Sequence, residues 1–387
     1  MQSDKHIRGR VRRLLDVMAD NLLISVMTLV VVFVFVLLPL SFSRFNTAQT
    51  MREQYNLMDA YFAISNRIAN ERPYRYASNE VIVVDIAGIY DRERLADILE
   101  MTYMAKPRVL GLDVFFENRN SEEADNRILR VVADQKVVSP VILSQADPEA
   151  ITSFRNASLP FYMNNIHHNS GFVNVASSGA SQTVRAFPKY LSLGKIAIPN
   201  LDIAVVREAS RPSYLKTIER NKDSEYINYS LSSFTSISAE SLPYNADLLK
   251  DRVVIIGDRS DIADMHLTPL GPRTPGVDIH AMSIATMLED KYIDVMSEFG
   301  AWFLAFVSIF LLLSVLRLLK RNSWVSVFCP VIQTLMILVA VFICYMIFVS
   351  CGYYVRVVYA LLGIGFLDFA YNLYYKIKDV CVKYFSH

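Results

Sequence analysis

The sequence predicts an α/β domain with a mainly parallel central sheet, joined to an all-α region of four membrane spans. Three observations carry this. Apolar runs bounded by Gly or Asp, VIVVDIA (81–87), RVLGLDVFF (108–116) and VVIIGD (253–258), have the texture of buried parallel strands. Amphipathic segments alternate with them, which implies right-handed β-α-β crossovers. Four long apolar stretches, the first without a charge, flank that region, and 53% of the chain is hydrophobic, too apolar for an ordinary soluble protein.

A basic tail, residues 1–21 with Lys5, Arg8, Arg10, Arg12 and Arg13, precedes LISVMTLVVVFVFVLLPL. This first span, 22–40, approaches the roughly 20 residues a bilayer needs. It is longer than the apolar part of a signal peptide, and Ser41-Phe42-Ser43 is a poor cleavage site, so an uncleaved anchor is expected. In the juxtamembrane segment 41–79, Tyr55, Met58, Phe62, Ile64 and Ile68 recur near helical spacing. They predict a helix packed on the following domain.

The domain itself is expected over 80–296. Strand 81–87, the helix DRERLADILEMTYMA, strand 108–116, the helix SEEADNRILRVVADQ and strand 136–143 follow in order. The region 145–241 is less regular, with one helix at IPNLDIAVVREAS and a strand at YINYS (226–230). Strand 253–257 returns to the sheet. A loop punctuated by Thr-Pro, Gly-Pro and Pro-Gly then leads to the helix VDIHAMSIATMLED.

Three further spans are expected at 300–319, 325–349 and 355–375, with a short tail at 376–387. The basic N-terminus, the cluster Arg317, Lys320 and Arg321, and Lys376, Lys378 and Lys383 fall on one side if four spans exist. By the positive-inside rule that side is cytoplasmic, with both termini, and the 80–296 domain lies outside. Asp368, within a span, is costly in lipid. Arg317 lies at similar depth, and the two are expected to pair, with Gln333 as a further interior polar group and Gly363-x-Gly365 allowing close helix contact.

Net charge of +1 excludes a strongly basic nucleic-acid-binding surface. Cys329, Cys344, Cys351 and Cys381 show no metal-ligand spacing, and neither do His167, His168, His266 and His280, so no metal or cofactor is expected. No Gly-rich phosphate loop, nucleophile elbow or kinase signature is present, so no enzymatic activity is expected. Asp85 and Asp113 end two parallel strands. With Asp258, Asp261, Asp264 and His266 they should gather at the carboxyl edge of the sheet, where open α/β sheets bind ligands. The blander alternative is that each carboxylate caps a helix or a turn.

The stretch VVIIGD, ADMHLTPL and PGVDIHA, followed by a hydrophobic helix, resembles the signature of the second CHASE family, the cyclase- and histidine-kinase-associated sensory extracellular domain. The resemblance runs from about Tyr55 to Tyr292. It implies a bacterial inner-membrane sensor with one span before and three after the domain. By motif it makes Asp85, Asp113, Arg185, Asp258, Asp264, His266, Thr268 and His280 candidate ligand-binding residues. Two departures stand out. Phe172 replaces the His of the family's GHVN segment, and Thr183-Val184 replaces an Asp-Gly pair before Arg185; a structural salt bridge is the better expectation for Arg185. Family members usually continue into a cyclase or kinase. Only about a dozen residues follow the last span here, so a separate effector is expected, with an unknown small ligand and a homodimer. The rival expectation is a scaffold subunit of a membrane complex that holds an extracytoplasmic protein partner.

Overall fold

The computed structural model describes residues 2–41, 57–71, 77–147, 150–175, 183–320 and 329–385. The chain divides into a helical unit, Met1–Arg52 with Asp294–His387, and an α/β unit, Glu53–Ile293.

The α/β unit is built on the strands β1 (Ala77–Asp85), β2 (Val109–Asp113), β3 (Val137–Asp147), β4 (Ala150–Ser158), β5 (Ser170–Phe172), β6 (Ala186–Pro188), β7 (Tyr190–Leu193), β8 (Ile196–Pro199), β9 (Ser224–Tyr226), β10 (Ser233–Ser238) and β11 (Val253–Gly257). The main sheet has the order β10-β1-β11-β2-β3-β4-β7-β8, with β5 also on β3. The block β10-β1-β11-β2-β3-β5 is parallel, whereas β3/β4 and β7/β8 are antiparallel. Strand β11, inserted between β1 and β2, is buried along its whole length. That is why its sequence is continuously apolar rather than alternating.

Helices cover both faces. On one side lie α3 (Arg92–Met104) and α4 (Glu122–Val132). Their Ile98, Leu99, Ile128 and Val131 join Ile82, Val84, Leu110, Leu112, Val254 and Ile256 in one core. Asp91 and Ser121 cap these helices by accepting from the amides of Arg94 and Ala124. On the other side lie α5 (Leu201–Ala209) and α8 (Gly276–Leu288), the latter buried nearly all round. The helix expected over Ile198–Ser210 starts later, at Leu201, because Ile198 and Pro199 pair in β8. Ser210 caps its end, as expected, and also the start of a further helix, α6 (Arg211–Glu219), with Pro212 in the first turn. A short α7 spans Leu242–Asn245. The expected strand 226–230 is also corrected: β9 stops at Tyr226, and the Asn228 side chain accepts the Ser230 amide to start a 3-10 turn, Tyr229–Leu231. The polar loop after β11 contains a hairpin, β12 (Met265–Thr268) with β13 (Gly271–Pro275).

The juxtamembrane helix α2 spans Leu57–Glu71 and belongs to the α/β unit. Met58, Tyr61 and Phe62 are buried, whereas Ile64 and Ile68 are 46% and 41% exposed. Met58 and Phe62 are thus buried as expected, and the inward face continues through Tyr61 and Ser65 and not through Ile64 and Ile68; Tyr55 lies outside the described residues.

In the helical unit, α1 (Gln2–Ser41), α9 (Glu298–Lys320) and α10 (Cys329–Cys351) hold apolar stretches long enough to cross a membrane, at Leu14–Val36, Glu298–Leu318 and Gln333–Cys351. Helix α11 (Val358–Phe385) forms where the fourth span is expected. Its tyrosines, Asn372 and Asp368 dilute it, and among the described residues three helices reach the apolarity of a span. Even so, α11 is central to the bundle. Gly363 lies so close to Ile309 of α9 that a Cβ there would stand 2.4 Å from it, while Gly365 has open space beside it. Ile24, Ile309, Leu313 and Leu367 form the core of α1, α9 and α11. Short strands β14 (Asp294–Val295) and β15 (Tyr353–Tyr354) pair at the start of α9 and the α10–α11 turn.

The expected Arg317–Asp368 pair does not form. Arg317 donates to the Tyr375 hydroxyl at 3.1 Å and to the Val17 carbonyl at 3.4 Å, and Asp368 is exposed. Arg317 lies over the Tyr371 ring and reaches Tyr375, about one to two helical turns beyond Asp368, and Asp368 is also rotated away from the core. The inward stripe of α11 is Gly363, Leu367 and Ala370, and Asp368 sits about 100° away from Leu367 on a 3.6-residue turn. The ion pair that links α1 to α11 is Asp20–Lys378 at 2.7 Å, with the Tyr374 hydroxyl donating to Asp20 at 2.6 Å. Gln333 is half-buried on α10, and Arg321 lies outside the described residues.

Candidate functional site at the carboxyl edge of the sheet

Register puts Asp85, Gly257 and Asp113 in one row across β1, β11 and β2. Residues paired in a parallel ladder point to the same face, so the two side chains leave backbones about 9–10 Å apart on the side covered by α5 and α8, and the Asp113 carboxylate leans over Gly257. Two groups of charged residues form there, each with a member on α8.

The first is centred on His280. Its Nδ1 donates to Asp202 Oδ1 at 2.7 Å, with both side chains almost fully buried. Asn200 caps α5 by accepting the Asp202 amide at 2.8 Å, which fixes the start of the helix that carries Asp202. Burial alone would push the His280 imidazolium down. Asp202, Asp113 and Asp264 outweigh it and raise its pKa to about 10, so it is a cation at neutral pH. Burial raises the Asp113 carboxyl to about 6; the His280 charge opposes that rise, while Asp264 and Asp202 add to it. His266 Nε2 meets Asp264 Oδ1 at 2.9 Å. The Asp264 carboxylate lies directly over Gly276, where a Cβ would come within 2.1 Å of Oδ2. Only glycine permits that approach, and it puts a negative charge at the N-terminus of α8, where the helix dipole favours it.

The second group is Asp85, Arg259 and Asp278. Asp85 Oδ1 accepts the amides of Ala87 at 3.0 Å and Arg259 at 3.1 Å, so this carboxylate shapes the turn, as the blander alternative has it. Arg259 Nη2 donates to Asp278 Oδ2 at 2.7 Å. Burial raises the Asp278 pKa despite that partner. Asp278 Oδ1 and Arg259 Nε are buried without hydrogen bonds.

The remaining expected residues are placed as follows. Asp258 accepts from the Ser260 amide and hydroxyl, both at 2.7 Å, and Asp261 accepts the Ala263 amide; both are local turns. Thr268 shares a hydrogen bond with Thr274 at 2.7 Å inside the hairpin. Arg185 is 6% exposed and grips Asp59 of α2 with Nε and Nη2 at 2.9 and 2.7 Å. The structural salt bridge expected for Arg185 is thus present. His168 stands 3.7 Å from Glu208, remote from the His280 group in sequence and paired elsewhere.

The structure thus brings Asp113, Asp264, His266 and His280 together and separates Asp258, Thr268 and Arg185 from them. Sequence reasoning missed Asp202, Arg259 and Asp278. Asp202 carried a signal, a carboxylate inside the apolar run LDIAVV two residues after a capping Asn. A cavity of about 10 Å³ borders Asn200, Asp202, His280 and Ser283, room for one water and not for an organic molecule. As folded, the edge is filled by its own charged side chains. Chemically it offers carboxylate acceptors of net negative charge around two fixed cations, His280 and Arg259, with a titration near pH 6 at Asp113.

The profile of the CHASE2 domain matches residues 27–317. Neither a curated protein nor a solved structure matches the chain. The match spans the C-terminal part of α1, the whole α/β unit and most of α9, and so contains every residue of the charged edge. The chain belongs to the CHASE2 domain family of sensory extracellular domains.

Proposed function

We propose that this chain is a bacterial inner-membrane receptor. Its α/β unit, outside the cytoplasmic membrane, senses an environmental signal at the carboxyl edge of the sheet. The signal passes through a four-helix membrane region to an effector protein, with two copies of the chain working together. The observation that carries this reading is the Asp113–His280–Asp202 group. A buried histidinium is held there between carboxylates, one of which titrates near pH 6, so a small change in proton or cation supply changes the charge of a desolvated centre. A ligand fitting this centre is small and bears hydrogen-bond donors or positive charge. The reading is non-catalytic: Ser283 donates to the Ile279 carbonyl and Thr268 is spent on Thr274, so neither hydroxyl is set beside a base.

Trp302, stacked on Tyr359 with centroids 4.3 Å apart, is a built-in reporter in the helical unit. In nanodiscs, the full chain carrying Trp324→Phe should change its Trp302 emission between pH 8 and pH 5, with a midpoint near 6, and Asp113→Asn should abolish the change. An unchanged emission, or one that persists in Asp113→Asn, counts against the reading.

The scaffold reading keeps one observation of its own. Ile262, Leu267 and Leu270 on the same loop expose apolar side chains, Ile262 by 87%, which suits a protein partner better than a small molecule. A silent Trp302 together with a stable extracytoplasmic partner lost on Ile262→Asp would favour it.

A further inference from the structure

Two helices of the α/β unit adjoin the helical unit in sequence: α2, joined to α1 through residues 42–56, and α8, joined to α9 through residues 289–297. Both are fastened to one turn. On the α2 side, the Tyr229 ring meets Phe62 edge-on with centroids 5.7 Å apart. Ser232 Oγ donates to Asn66 Oδ1 at 3.1 Å. On the α8 side, the Asn228 amide donates to Thr286 Oγ1 at 3.0 Å, and Asn228 Nδ2 to the Lys291 carbonyl at 2.9 Å.

A second segment, Thr183–Arg185, runs alongside. The Tyr229 hydroxyl donates to the Val184 carbonyl at 2.7 Å and the Ile227 amide to the Arg185 carbonyl at 2.9 Å. Arg185 then grips Asp59 on α2. The Val184 amide donates to the Leu267 carbonyl at 2.8 Å, one residue from His266 in the charged edge. Hydrogen bonds thus lead from the His266 hairpin, through Val184-Arg185, to α2, and from α8, through Asn228-Tyr229, to the same helix.

We propose that Thr183–Arg185 and Ile227–Leu231 form a clasp that couples α2 to α8. A displacement of the charged edge then reaches, together, the two helices that adjoin the helical unit in sequence. The clasp is buried: Tyr229 is 0% and Arg185 6% exposed. A buried donor or ion that loses its partner finds no water to replace it. The clasp therefore shifts between alternative packings instead of loosening gradually at one end. This deepens the sensory reading, and rests on it only for which site moves.

The test is hydrogen exchange on the full chain in nanodiscs, with no ligand added, comparing wild type with Asp59→Asn and His280→Gln. Coupling is reciprocal. Asp59→Asn should speed exchange in residues 57–71 and also, by about fivefold or more, in residues 264–275. His280→Gln should speed exchange in 57–71 as well as in 276–288. Effects confined to α2 in the first variant and to α8 in the second overturn the clasp. Should Asp59→Asn fail to fold, Tyr229→Phe, which keeps the ring and removes only the bond to Val184, should loosen the same two regions, and loosening of one alone overturns it. A site that binds nothing would leave this result intact, and uncoupled exchange would leave the site's response to pH intact.

Discussion

His280 Nδ1 lies 2.7 Å from Asp202 Oδ1, with the two side chains 3% and 1% exposed. A charge pair so dry is weak evidence of net stability, but losing one member strands the other. His280→Gln should destabilise the α/β unit by about 3–5 kcal/mol, the usual cost of breaking a buried pair. Asp202→Asn combined with His280→Gln should cost less than the single change, because two neutral amides can bond to each other. Thermal unfolding of the full chain, followed at the α/β unit, measures both.

Titration adds a sign. His280 binds its proton more tightly folded, at about 10, than unfolded, near 6.5. Its contribution is complete below about pH 6.5 and is lost as pH rises through 10. Wild-type stability should therefore fall between pH 7 and 10, and His280→Gln should flatten that limb. A limb equally steep in the variant would mean that another group controls it.

Asp113 works in a lower window with the same sign. Its folded pKa, about 6, exceeds the unfolded value near 3.9. The folded state thus gains relative stability as pH falls from about 6 towards 4, and the ionised carboxylate costs stability above 6. Asp113→Asn should stabilise the unit at pH 7.5 by on the order of 1 kcal/mol and remove the slope between pH 4 and 6. Destabilisation at pH 7.5 would show that the ionised form is held by partners stronger than burial.

Within the bundle, Arg317 is bonded to Tyr375 and Val17 while Asp368 faces outward. Arg317→Leu should lower stability in detergent, Asp368→Leu should be neutral or stabilising, and the double variant should be additive within about 0.5 kcal/mol. A double variant more stable than Arg317→Leu by more than the effect of Asp368→Leu alone would restore the pairing expected from depth.

Cys351 at the end of α10 and Cys381 near the end of α11 are both exposed. If α11 crosses the bilayer, an impermeant maleimide added to sealed right-side-out vesicles should label Cys351 and spare Cys381. Inverted vesicles should reverse the pattern. Labelling of both from one side would leave three spans and move the C-terminus outside.

Short-range physics made much of this fold legible. Strands β1, β2 and β11 are apolar runs whose both-faced burial leaves no alternation to misread, and α3 and α4 announce themselves by their capping Asp91 and Ser121. Legibility failed where two local preferences compete. Ser210-Arg211-Pro212 both ends and restarts a helix, and Asn228 draws the chain out of an extended stretch into a turn. For α2 the spacing predicts the buried Met58 and Phe62 correctly, but carries the stripe on to Ile64 and Ile68, which face outward.

The sequence by itself determined the α/β class, the apolar helices and the row of strand-end carboxylates, because each depends on neighbours within a few residues or on a pattern that burial imposes. Only the tertiary structure decided which charges meet. Asp202 reaches His280 across 78 positions, Asp59 reaches Arg185 across 126 and Asp20 reaches Lys378 across 358. Those partnerships depend on the rotation of a helix about its axis and on which strand neighbours which. A rotation of about 100° per residue moves a side chain from the core to the surface without changing its place in the sequence, as it does for Asp368.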